Sequence, residues 1–116
     1  MESKSATWAQ QFGLTLCSAT ALDAAIPAQG LGVAVIFQKD SAGEKIFLVL
    51  ESRSTPLRQL CHKRLQTATL PPVAELTVAF KIEPVADDSR EALDTACRQQ
   101  IILTGELRRA LRPALR

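Results

Sequence analysis

LGVAVIFQ, Leu31 to Gln38, and KIFLVLE, Lys45 to Glu51, are the two stretches on which the fold turns. Both are rich in the β-branched, aliphatic and aromatic side chains that suit a pleated, half-buried surface. Between them stands the turn-forming Asp40-Ser41-Ala42-Gly43, so the pair reads as a β-hairpin. Ile46 to Leu50 is apolar without alternation, as in a strand covered on both faces, which predicts helices on both sides of the sheet.

Downstream of the hairpin, Thr55-Pro56 reads as an N-cap followed by proline at the first helical position, where a missing N–H costs nothing. A helix from Pro56 to about Thr67 would put Leu57, Leu60, Cys61 and Leu65 on its core stripe, with Arg58 and His62 one turn apart on another face. After Pro71-Pro72, Leu76, Val78, Phe80 and Ile82 alternate with Thr77, Ala79, Lys81 and Glu83, the pattern of a strand buried on one face and ended by Pro84. Asp88 and Glu91 resemble a capping box for a helix carrying Leu93, Ala96, Cys97 and Ile101, with Gly105 as its end. Upstream, Trp8, Ala9 and Phe12 fit a short helix limited by Gly13. The Ala-rich stretch Leu14–Gln29 fits one further turn around Leu22, Ala25 and Ile26 before Pro27.

The resulting α-β-β-α-β-α order predicts an α+β domain with a small three-stranded, mainly antiparallel sheet flanked by helices. One domain is expected over residues 1–116: a helical extension at 1–26, a core at 27–103 and a basic tail at 104–116. A chain of 116 residues, 47% hydrophobic, can bury about two-thirds of its unfolded surface and needs no staples. No apolar run approaches the roughly 20 residues of a bilayer span, and Met1-Glu2-Ser3-Lys4-Ser5 has no signal-peptide pattern, so a cytoplasmic protein without membrane contact is expected.

Cys17, Cys61 and Cys97 form no CxxC pair and read as three buried thiols. With one histidine and scattered carboxylates, no metal site is expected, and Gly30-Leu31-Gly32 precedes a strand instead of opening a phosphate-binding helix. Ser52, Ser54 and Thr55 precede a helix, where capping is the usual role of a hydroxyl. Cys61 and His62 would point about 100° apart on a helix, which disfavours a nucleophile pair. Charge is divided: residues 1–51 carry three basic and five acidic side chains, residues 52–116 eleven and seven. The basic excess lies on the helix with Arg58, His62, Lys63 and Arg64, and in the tail, where Arg108, Arg109, Arg112 and Arg116 surround Leu107, Ala110 and Leu111. An arginine fork and a histidine one turn later suit the oxygens of a phosphate.

The path from Pro27 through Gly32-Val33-Ala34, a turn, Leu48-Val49-Leu50 and Glu51-Ser52-Arg53-Ser54-Thr55-Pro56-Leu57-Arg58 resembles the GIY-YIG nuclease domain over about residues 27–103. Setting Leu48-Val49-Leu50 on the YIG motif puts Arg58 at the family's catalytic arginine and His62 at a position one turn on that is often histidine. Both signature tyrosines are replaced, the chain having no Tyr, and the late-helix position of the metal-binding glutamate falls on Ala96, Cys97 or Arg98. The resemblance therefore implies a scaffold kept without its chemistry, with no cofactor, and Mg²⁺ needed only if cleavage survives. The expected function is binding of DNA or RNA through Arg53, Arg58, His62, Lys63, Arg108, Arg109 and Arg112. The alternative is a protein-interaction or assembly module whose tail docks on a partner chain, and the third is an active metal-dependent endonuclease.

Overall fold

The computed structural model describes residues 7–40, 43–53, 55–67, 69–83 and 89–113. Its elements run α1 (Thr7–Gln11), β1 (Thr15–Ser18), α2 (Leu22–Ala25), β2 (Gly32–Asp40), β3 (Gly43–Glu51), α3 (Leu57–Thr67), β4 (Leu76–Ile82) and α4 (Arg90–Leu111). The strands form one antiparallel sheet in the order β1-β4-β2-β3. The hairpin read from the sequence is β2–β3, and its tip at 41–42 lies outside the described residues.

Alternation along β2 divides the interior in two. Ala34 and Ile36 join Leu48, Leu76 and Val78 beneath α2 and α3, which contribute Leu22, Leu57 and Cys61. Val33, Val35 and Phe37 join Val49 and Ala79 on the opposite face, covered by Ala9 and Leu14 near α1 and by Leu107 of α4. The unbroken apolar run of β3 has a second cause besides burial on both faces. Ile36 pairs with Leu48 but Phe37 with Ile46, so Phe47 is the extra residue of a β-bulge and faces the same core as Leu48.

Four strands are present among the described residues where three were expected. Thr15–Ser18, read as part of a helical stretch, pairs with β4 from Thr15↔Phe80 to Ser18↔Thr77. It is an edge strand of four residues, mostly exposed, and so carries no burial periodicity to read. What delivers it is the stop of α1: Gly13 takes φ +73°, its N–H donates to Gln10 O at 3.1 Å, and the Leu14 N–H reaches back to Ala9 O at 2.7 Å. Those two bonds make a Schellman motif, with Leu14 seated near Ala9 in the core.

The last helix also differs from its reading. Gly105 does not end it; α4 is one helix of 22 residues, and the basic tail continues it without a break to Leu111. A helical glycine costs about 1 kcal/mol, and burial of Leu107, 0% exposed, offsets it by about 1.5–3 kcal/mol. The helix stops at Arg112, left-handed at φ 49°, before Pro113. Its N-cap is Ser89, whose Oγ accepts from the Ala92 N–H; Asp88 lies outside the described residues. Pro56 stands just before α3, its carbonyl accepting from the Leu60 N–H.

Ser52 has a different task from helix capping. It is buried, accepts from the Gly32 N–H at 2.7 Å, donates to Gly32 O at 3.2 Å, and thus ties the start of β2 to the end of β3. Glycine is obligatory opposite it, because a Cβ at position 32 would lie 2.0 Å from the Lys81 carbonyl oxygen. Of the three thiols only Cys61 is buried, which pushes its pKa up to about 12; Cys17 is half-buried and Cys97 exposed on the flank of α4.

Candidate functional site

Arg58 and His62 do share a face of α3, and the sheet presents that face to α2. Arg58 Nε donates to Ile26 O at 2.7 Å and Nη2 to Asp23 O at 2.9 Å. These carbonyls belong to the last turn of α2, where carbonyls lack partners within the helix, so the guanidinium serves as its C-terminal cap. His62 Nε2 lies 2.7 Å from Asp23 Oδ1, the carboxylate accepting, and Arg58 Nε is 3.8 Å from the same oxygen. The hydrogen bond to His62 holds the Asp23 carboxyl below its usual range, with the charges of His62 and Arg58 adding to it. The pair expected to hold phosphate is thus joined to groups of its own chain.

The other basic candidates do not assemble around them. Lys63 is exposed on α3, on one side of the sheet; Arg109 and Arg112 are exposed at the end of α4, on the other. Arg108 Nη2 donates to Val49 O at 3.3 Å, covering part of the free edge of β3. Arg53 is 70% exposed and pairs with Glu51 at 3.3 Å. The seven residues expected to bind nucleic acid therefore lie on two sides of a sheet.

Two features escaped the sequence reading. The first is Asp23, a lone acid in an Ala-rich stretch, whose partners stand 35 and 39 positions away. The second is a small cavity of about 120 Å³ between the end of β3 and α4, lined by Glu51, Arg53, Cys97, Gln100 and Ile101. The Glu51 side chain is only 10% exposed; one oxygen meets Arg53 and the other, Oε2, is buried without a hydrogen-bond partner. Gln100, on the cavity wall, donates to Ser52 O and so fixes α4 to the β3 exit.

Beyond the cavity, α4 is attached by a narrow stripe. Ala96, Gln100, Thr104 and Leu107 are its buried residues, spaced one turn apart. Ile101 and Ile102 are left 48% and 54% exposed, and Leu93 45%. Among the described residues no helix is long and apolar enough to cross a membrane, and no group of three or more His, Cys, Asp or Glu could hold a metal ion. No family model, curated protein or solved structure matches the chain.

Proposed function

We propose that this chain is an interaction module that holds another polypeptide against the outer face of α4, without chemistry of its own. The observation that carries the reading is the pair Ile101 and Ile102, each about half in solvent at the middle of a helix whose opposite side is seated on the sheet. Covering them on binding removes apolar surface from water at about 25 cal/mol per Å². The cavity at Ile101 adds a buried carboxylate oxygen awaiting a donor, an acceptor whose desolvation a partner's N–H or hydroxyl would relieve.

A second reading, binding of DNA or RNA, is favoured by the exposure of Arg53, Lys63, Arg109 and Arg112. Their separation by the sheet and the engagement of Arg58 and His62 by Asp23 favour the first. Under the GIY-YIG resemblance Arg58 is the residue that meets phosphate, and the α2 carbonyls hold its Nε and Nη2 instead.

The test compares wild type with Ile101→Glu/Ile102→Glu, checked for unchanged circular dichroism, in affinity capture and in a salt titration with short DNA and RNA. A stoichiometric partner lost only with the α4 variant supports the interaction module. Unchanged partner recovery, with nucleic-acid affinity that falls steeply as salt rises, replaces it by the second reading.

A further inference from the structure

We infer that the polypeptide held by α4 is a second copy of this chain, with the two α4 helices packed antiparallel about a two-fold axis between Ile101 and Ile102. The inference rests on the interaction reading and names its partner.

At 3.6 residues per turn, Arg98, Ile102, Gly105 and Arg109 fall on the side opposite the buried stripe, with Asp94 and Ile101 on one flank of it. Along the axis this face runs from an acid and an arginine, through an apolar and small centre, to a second arginine. All but Gly105, which is half-buried, are exposed. Among the described residues none of the three charged ones joins an ion pair within the chain.

Such a face is complementary to itself when reversed. With Ile101 of one copy opposite Ile102 of the other, Asp94 comes opposite Arg109 and Arg98 opposite Gly105. Two-fold symmetry makes every one of these contacts twice. The charge gradient alone has a simpler use, since acids at the start and bases at the end of a helix complement its dipole. The dipole does not account for two isoleucines at the midpoint of the gradient. Nor does it account for Gly105, which weakens the helix while leaving open space: a Cβ there would meet only Arg109 Nη1, at 3.6 Å. In the antiparallel pair that space receives the long side chain of Arg98.

A single helix pair of 22 residues, about 33 Å long, is a small interface, so the dimer is expected to be weak and in exchange with monomer. Sedimentation equilibrium of the full chain at low ionic strength, from low micromolar to millimolar concentration, should show the average mass rising from one chain toward two. Asp94→Arg and Arg109→Asp should each weaken association by about tenfold or more, by setting like charges opposite each other twice. The double variant Asp94→Arg/Arg109→Asp should restore it. Ile102→Glu, with circular dichroism unchanged, should abolish it.

A monomer at every concentration overturns the self-pairing, as does a dimer indifferent to the charge reversals. If the monomer nonetheless captures a partner that depends on Ile101 and Ile102, the interaction module stands and only its self-pairing falls. If α4-dependent capture is lost as well, both fall.

Discussion

α3 and α4 cover opposite faces of the same sheet, and they treat their polar residues differently. On α3, Arg58 and His62 turn toward α2 and end on Asp23 and two backbone carbonyls. On α4, twice as long, Asp94, Arg98 and Arg109 point away from the sheet beside Ile101 and Ile102 and meet no ionic partner among the described residues of the chain. Basic residues on a helix thus mean different things according to what the helix faces. Where a neighbouring element offers unpaired carbonyls, arginine becomes a fastener; on the outer face of α4 the charges and the isoleucines among them stay in solvent.

The sharpest way to break this comparison is to detach α4. Leu107→Ala removes its one fully buried large side chain and should lower stability by about 2–5 kcal/mol in urea unfolding. Next is the fastener on α3. Arg58→Ala leaves two carbonyls of α2 without their donor and should cost about 1–3 kcal/mol, whereas Arg109→Ala on the outer face of α4 should stay within about 0.5 kcal/mol of wild type. Equal losses in those two variants would erase the distinction between the helices.

Gly105→Ala separates folding from association. Alanine should raise helix stability by about 0.5–1 kcal/mol, measured as a higher urea midpoint, while filling the space assigned to Arg98 of the second copy and weakening self-association. The smallest effect concerns pH. Because Asp23 ionises more readily folded than unfolded, its contribution is complete above the ordinary carboxylate range and is lost as pH falls through the lowered value. Stability of Asp23→Asn should therefore change less than that of wild type on acidification through that range, followed by circular dichroism.

The hairpin, α3 and β4 were legible because burial writes itself into local pattern. Leu57 and Cys61 keep helical spacing, and Leu76, Val78 and Phe80 alternate, although Ala79 between them is buried too, against the other core, so that β4 is not covered on one face alone. β1 was not legible, since an edge strand exposed along most of its length is held by its ladder with β4 and not by the apolarity of Thr15 or Ser18. Gly105 misled for the opposite reason: its local preference to end a helix is overridden by Leu107 two residues later. The basic residues were visible as charges, but the side of the sheet each occupies depends on the register of strands far from them. The fastening role of Arg58 depends on the backbone carbonyls of Asp23 and Ile26, whose nearness to α3 no local pattern announces.

The difference between the two helices is tested most directly by two-dimensional amide NMR of the labelled chain as its concentration is raised. The account predicts shift changes and line broadening centred on Asp94, Arg98, Ile101, Ile102, Gly105 and Arg109, with Arg58 to Gln66 of α3 unmoved. Changes centred on α3, or a spectrum independent of concentration throughout the millimolar range, would contradict it.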